Sequence, residues 1–389
     1  MPHERKRHAL RQVQKLSSFW AVTGILGLRQ VGKTTLLRKL SGIENFVSLD
    51  DEEIRDEALH SAKNFLSKLT PPVIIDEIQK APALFDAIKL KVDQRKIPGS
   101  YFLTGSSTFS SKLGIRESLT GRIGLLRLHP FTLSEIHQRK FETERASFNH
   151  KRPPRFSSEE MIQGLSRGGL PVPVFTREEA ERESYFKNWL ETTLVRDVAR
   201  VYGRGYDLDI GWSILRQLGK ILQDGEWPTL RSFKQESRLL RRYLAAFEDV
   251  FLIRKIPSRE EAVGGDAWIF TDSGIARSVI GTKFGQGTSL SLARIFLANE
   301  ILATFEYAGK TLHPFYYKSA RGSPVELVGP DSLVKITTET REGGLSYEER
   351  ALAGAMKKLQ RKTGLLVAPV DRFDPPGKGI SLVPWGYWS

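Results

Sequence analysis

The 389-residue chain contains no cysteine. That excludes disulfide bridges, thiolate metal sites and a cysteine nucleophile, and it fits a reducing cytosol without requiring one. Histidine is sparse: its seven residues show no metal-ligand spacing, and neither H-E-x-x-H nor G-x-S-x-G occurs. No apolar run approaches the roughly 20 residues that cross a bilayer, so the expectation is a cytoplasmic protein with no membrane partner. The N-terminal PHERKRHALRQVQKLSSF lacks the apolar middle and small-residue cleavage site of a signal peptide, and reads as a basic amphipathic helix over 1–18. Internal repeats and low-complexity tracts are also lacking.

Positive charge, by contrast, is abundant. The net charge is +14 and the isoelectric point about 9.8, a balance that attracts nucleic acid or acidic surfaces without conferring specificity. With 40% hydrophobic and 27% charged residues, the chain reads as globular and long enough for two or three domains.

Over 19–145 short apolar runs alternate with helical patterns, which predicts a parallel α/β sheet. The runs are FWAVTGIL, ENFVSL, PPVIIDE, SYFLTGSS and IGLLRLHPF. The polar, charged stretch RKFETERASFNHKRPPRFSS reads as a linker. Residues 157–285 are mainly helical, with YFKNWLETTLVRDVARVY and RSFKQESRLLRRYLAAFEDVFLIRKI carrying apolar residues at i, i+3 and i+4. Residues 286–389 mix two long helical patterns with strand-like PFYYKS, PVELVG, LVKITTET, LLVAPV and ISLVPWGYW.

The first run ends in Gly27-Leu28-Arg29-Gln30-Val31-Gly32-Lys33-Thr34, which meets G-x-x-x-x-G-K-[ST] at every fixed position. Strand, glycine-rich turn and helix follow in the order that turns backbone N–H groups toward phosphate oxygens. Lys33 would reach the β- and γ-phosphates of ATP, and the Thr34 hydroxyl would ligate Mg²⁺. In VIIDE, Asp76 and Glu77 end an apolar run; Asp76 would hold Mg²⁺ and Glu77 would act as general base on the attacking water. Read alone, the pair could equally be a solvated strand end. Ser106 closes SYFLTGSS, where it either orients that water or caps the strand. Arg122 closes RESLTGR, either as a guanidinium for phosphoryl charge, within this chain or on a neighbouring copy, or as a surface ion pair.

GLRQVGKTTLL, VIIDEIQKAPALFDAIK, FLTGSS and ESLTGR together resemble the motifs of a group of prokaryotic AAA-type ATPases close to the archaeal, STAND-related branch. GGLPVPVF, SYFKNWLETTLVRDV, LLRRYLAAFEDVFLIRKIP and IFTDSGIAR resemble that family's later part, so the likeness spans about residues 19–285. It implies that Gly27, Leu28, Arg29, Gln30, Val31, Gly32, Lys33, Thr34 and Thr35 bind nucleotide, that Asp76 and Glu77 are the acidic pair, and that Arg122 belongs to a Gly-Arg motif. Leu28 replaces the usual proline of the loop. The family's middle region is similar to a winged helix, with RSFKQES and RLLRRYLAAFEDVFLI as the helix-turn-helix pair, AWIFTDSG as a wing strand, and Arg238, Arg241 and Arg242 either facing DNA or forming a solvated face.

The last region is similar to a restriction-endonuclease-like fold, whose acids would ligate a metal ion. Its first acid aligns with Arg294, its second with Glu326, and its third motif with Thr337, Thr338 and Glu339. One carboxylate and no lysine there imply a nuclease fold without nuclease chemistry. Three readings stand at this point: a Mg²⁺-dependent ATPase coupled to conformational change, a slow nucleotide switch, and a DNA-binding regulator. A homo-oligomer is compatible with each.

Overall fold

The structure, a computed structural model, describes residues 5–40, 42–108, 119–148, 152–259, 265–281, 289–318, 325–328, 332–339, 345–377 and 379–389. They form two compact units, Arg5–His129 with Asp249–Phe251, and Pro130–Glu248 with Leu252–Ser389. The basic N-terminal helix belongs to the first unit, whose main segment ends at His129 rather than 145. The segments expected as separate domains, 157–285 and 286–389, both fall in the second unit, and the boundary between them lies outside the described residues.

The first unit runs α1 (Ala9–Ser17), β1 (Val22–Leu26), α2 (Lys33–Leu37), β2 (Asn45–Ser48), α3 (Glu52–His60), α4 (Ala62–Lys68), β3 (Val73–Asp76), α5 (Ala83–Gln94), β4 (Tyr101–Gly105) and β5 (Ile123–Arg127). All five apolar runs became strands of one parallel sheet, ordered β2-β3-β4-β1-β5. β3 and β4 are buried along their whole length, as expected for central strands covered on both faces. β5 lies at an edge and alternates buried and exposed residues, with Leu125 turned to solvent. Helix α5 lays Leu84, Phe85, Ile88 and Val92 against Ile75, Ile78 and Leu103, each buried side chain contributing about 1.5–3 kcal/mol. Helix α3 starts where the Asp51 carboxylate accepts the Ile54 N–H at 3.2 Å, a cap that satisfies an otherwise unpaired donor.

In the second unit, helix Glu179–Thr192 continues through a π-helical turn, Thr193–Val198, into Ala199–Tyr202, where the periodicity suggested one uninterrupted helix. Helices Leu208–Gln223 and Ser237–Asp249 precede an antiparallel pair, β6 (Ile253–Ile256) and β7 (Ala267–Phe270). RSFKQES is not the first helix of the expected pair. It supplies the end of a 3-10 turn, Leu230–Ser232, an irregular connection, and at Ser237 the first residue of the next helix; Phe233, its sole large apolar residue, cannot give it an amphipathic stripe. The helix that precedes Ser237–Asp249 in the chain is Leu208–Gln223.

A five-stranded sheet follows, β11-β12-β10-β9-β8, with β8 (Leu327–Val328), β9 (Ser332–Ile336), β10 (Thr363–Ala368), β11 (Asp374–Gly377) and β12 (Ile380–Pro384). PFYYKS contributes isolated bridges rather than a strand. The stretch read as a linker is pinned down: Arg145 is 5% exposed, and its Nη1 and Nη2 donate to the carbonyls of Tyr387 and, at 3.1 Å, Pro153. Glu142 pairs with Arg145, Arg152 and Arg155. A guanidinium's fork of donors can be buried wherever carbonyls meet it, and composition alone does not reveal that.

Helix Leu290–Tyr307 buries Glu300, whose Oε1 accepts the Leu133 N–H at 3.0 Å. Burial pushes this carboxyl up to about 8 from its ordinary 4.5, with the Leu133 N–H pulling the other way. The folded chain therefore holds a proton there that the unfolded chain releases above about 4.5. The stabilisation is complete below that pH and fades as pH climbs toward 8. Glu300→Gln, which stays neutral, should raise the melting temperature more at pH 8 than at pH 5. An equal shift at both pH values would refute the assignment.

Candidate active site

Because β4 lies between β1 and β3, three neighbouring strand ends converge: the glycine-rich loop after β1, the acids ending β3, and the serines after β4. The loop's path needs its glycines. Gly27 has φ +156°, and a Cβ there would meet the Leu128 carbonyl oxygen at 2.4 Å. Gly32 has φ +98°, a left-handed turn that side chains strain. Leu28 and Val31 are buried, so they offer a ligand backbone alone. Arg29 is half-buried, while Gln30 and Thr35 are exposed.

Lys33 is 5% exposed. Its ammonium lies across the loop, donating to the Gly27 carbonyl at 3.1 Å and the Leu28 carbonyl at 3.0 Å. The Thr34 hydroxyl donates to Asp76 Oδ1 at 2.7 Å, which brings the loop and the β3 acid together. Ser48 Oγ reaches Asp76 Oδ2 at 3.4 Å.

Glu77 sits in the left-handed region at φ +57°, which costs a non-glycine residue about 1–3 kcal/mol and recurs at functional sites. Its N–H donates to Thr104 Oγ1 at 3.0 Å, while the same Thr104 hydroxyl donates to Asp76 Oδ1. One threonine thus fixes the backbone of one acid and the carboxylate of the other. Ser106 Oγ donates to Glu77 Oε2 at 2.8 Å. Gln79 Nε2 donates to that same oxygen and, at 3.2 Å, to Ser106 Oγ. Sequence reasoning overlooked Thr104 and Gln79. A polar residue inside the otherwise apolar FLTG run was the available signal for Thr104; nothing comparable marked Gln79.

Arg122 is elsewhere. It precedes β5, and its carbonyl accepts the Val22 N–H at 3.2 Å at the start of β1, so it lies at the opposite end of the strands. A five-residue strand separates the two ends by about 17 Å. There Arg122 Nε and Nη2 donate to both carboxylate oxygens of Asp93, at 2.6 and 2.9 Å, and this bidentate pairing holds Asp93 below the usual carboxylate range. Arg122 is therefore not brought together with the loop and the acids of its own chain. The first two residues of ESLTGR lie outside the described residues.

The basic residues expected on the helix-turn-helix divide. Arg242 Nη2 donates to the Tyr202 carbonyl at 3.1 Å and the Arg204 carbonyl at 2.7 Å, and its guanidinium stacks 4.0 Å from the Tyr202 ring centre. All three of Arg238, Arg241 and Arg242 are exposed; Arg242 is the one with these carbonyl and ring contacts. In the C-terminal sheet, Arg294 Nε pairs with Glu326 Oε1 at 2.8 Å, and the Ile336 N–H donates to Glu326 Oε2 at 2.7 Å. Thr337 donates its N–H to the Val367 carbonyl at 2.9 Å and accepts the Glu339 N–H at 3.1 Å; Thr338 lies beside them on the connection after β9. A lysine does stand in this region. Lys335, on β9, is 1% exposed, with Nζ 2.8 Å from Glu348.

A parallel sheet with a phosphate loop on one strand and an acid-tipped strand one place removed defines an AAA-type P-loop domain. Residues 20–137 match a family model described as an AAA domain, so in this segment the chain is similar to AAA-type ATPases. Over 255 residues the chain is 26% identical to uncharacterized proteins of Mycobacterium bovis and Mycobacterium tuberculosis, covering 64% of this chain and 53% of each relative. The chain thus spans about half the length of the curated relatives it matches. Among solved structures it is similar to a Walker-type ATPase of Pyrococcus abyssi, at 17% identity and TM-score 0.39, over 70% of this chain and 95% of that one. It is also similar to the Orc1 protein of Aeropyrum pernix in complex with DNA, at 14% identity and TM-score 0.29, over 73% and 94%. No helix among the described residues is long and apolar enough to cross a membrane.

Proposed function

We propose that the first unit hydrolyses ATP with Mg²⁺ and couples turnover to conformational change. The observation that carries this reading is the meeting of Thr34, Asp76, Glu77 and Ser106 on three adjacent strand ends. Thr34 and Asp76 would hold the Mg²⁺. Their hydroxyl and carboxylate oxygens, 2.7 Å apart, are the hard donors that this ion takes alongside phosphate and water. Held there, Mg²⁺ would neutralise the negative charge of the phosphates. Lys33 exchanges its loop carbonyls for the β- and γ-phosphates. Glu77 accepts a proton from water as the water oxygen bonds to the γ-phosphorus, and the bond to the ADP oxygen breaks. Ser106 positions the Glu77 carboxylate for that transfer.

A second reading adds DNA as partner. Arg238 and Arg241 lie exposed on a helix that precedes a two-stranded hairpin, in the order of a winged helix. No nuclease chemistry accompanies it, because Glu326 is already neutralised by Arg294. One assay tests these statements together: phosphate release from ATP, with and without duplex DNA, across a salt series. Turnover should disappear in EDTA and in Lys33→Ala. DNA should stimulate it less as salt rises, and should be recovered uncut. Turnover surviving both EDTA and Lys33→Ala would overturn the site; a DNA effect indifferent to salt would overturn the second reading.

A further inference from the structure

Outside the residues assigned so far, one side chain reaches the phosphate loop from the far end of the unit's sequence. Arg7 precedes α1 and is 7% exposed. Its Nη1 donates to the Val31 carbonyl at 2.9 Å, and its Nη2 to the His129 carbonyl at 2.6 Å. A Cβ built on Gly32 would find one heavy atom within 4 Å, Arg7 Nη1 at 3.8 Å. The guanidinium therefore flanks the second glycine of the loop, bridging it to the residues that follow β5.

The chemistry follows from the geometry of a peptide bond. The Val31 carbonyl and the Gly32 N–H belong to one planar trans unit, in which C=O and N–H point in opposite directions. Gly32 has φ +98° and so lacks the restraint that a side chain would impose on rotation of this unit. A donor fixed on the Val31 oxygen supplies that restraint from outside. It turns the Gly32 N–H away from Arg7, toward the side on which the loop would cradle an anion. The positive charge beside the glycine favours the same anion. A lysine would keep the charge but lose the rigid planar fork that spans these two carbonyls from separate segments.

We propose that Arg7 is a positioning residue of the nucleotide site, setting the Val31–Gly32 peptide so that its N–H meets the β-phosphate of a nucleoside diphosphate or triphosphate. The assignment rests on the nucleotide-binding reading of the loop. It makes the segment before α1 part of the site, although no motif marks it.

The test is a titration of wild type, Arg7→Ala and Arg7→Lys with a fluorescent ADP, with displacement by inorganic pyrophosphate and by AMP, alongside melting of the nucleotide-free proteins. Arg7→Ala should weaken ADP about tenfold, the scale of one hydrogen bond to a charged group. Pyrophosphate should weaken by the same factor and AMP by much less, a pattern that general loosening of the fold does not produce. Arg7→Lys should fall between. If Arg7→Ala does not fold, Arg7→Lys carries the test, with a loss of a few-fold expected for ADP and pyrophosphate together. Wild-type affinity in a folded variant, or equal losses for AMP and pyrophosphate, would overturn the assignment. A wild-type protein that binds no ADP would bring down the nucleotide reading itself, and the role of Arg7 with it.

Discussion

Glu77→Gln should bind ATP within a few-fold of wild type while turnover falls by about 10²–10⁴, the range that a general base contributes. The substitution is isosteric, so the Thr104 contact to the residue 77 N–H is untouched, and Asp76 keeps its bonds from Thr34 and Thr104. What changes is the capacity to accept a proton. Gln79 and Ser106 both donate to Glu77 Oε2, and a glutamine at 77 still presents a carbonyl oxygen to them. Parallel measurement of ATP affinity and single-turnover hydrolysis separates the two properties. Wild-type hydrolysis by Glu77→Gln would remove Glu77 from the chemistry; loss of affinity would mean that the residue supports the loop instead.

How much of this site could be read beforehand depends on how far apart its members lie in sequence. The loop from Gly27 to Thr34 is local, so its pattern was complete in one stretch. The acids of VIIDE ended a run whose burial follows from its composition, and the structure places Asp76 at 7% exposure beside Thr34. Thr104 and Gln79 acquire meaning only through register: β3 and β4 must pair with Ile75 opposite Leu103 before Thr104 can touch both acids. Arg7 and the His129 carbonyl are 122 positions apart, and nothing in either neighbourhood announces the contact. The same limit explains Arg242 and Arg145. Arg242 reads as facing DNA or solvent and Arg145 as part of a charged linker, and both are engaged by carbonyls distant in sequence. Charge is visible in a sequence, whereas the partner that absorbs it is not. Apolar periodicity transfers well because burying a face demands little of any particular neighbour.

Arg122 presents the opposite problem: its motif is legible and its own site is out of reach. A guanidinium at the far end of the strands can meet a γ-phosphate only if a second copy presents that end to the site, a head-to-tail contact between unlike surfaces. Arg122→Ala should then bind ATP normally and lose turnover by a factor of about 10³–10⁵, the scale of a finger supplied in trans. Mixing makes the geometry testable. Lys33→Ala retains the finger and lacks the site, whereas Arg122→Ala retains the site and lacks the finger. Each alone should be inactive, and an equimolar mixture should recover about a quarter of wild-type turnover, since one interface in four unites the two intact halves. Recovery should grow with protein concentration. To act, Arg122 must exchange Asp93 for phosphate, so Asp93→Asn should not abolish turnover, whereas a purely structural ion pair would make Asp93→Asn and Arg122→Ala equivalent. Near-wild-type activity of Arg122→Ala would leave the Asp93 pair as the whole role of this arginine. An inactive mixture of the two variants would exclude action on a neighbouring copy.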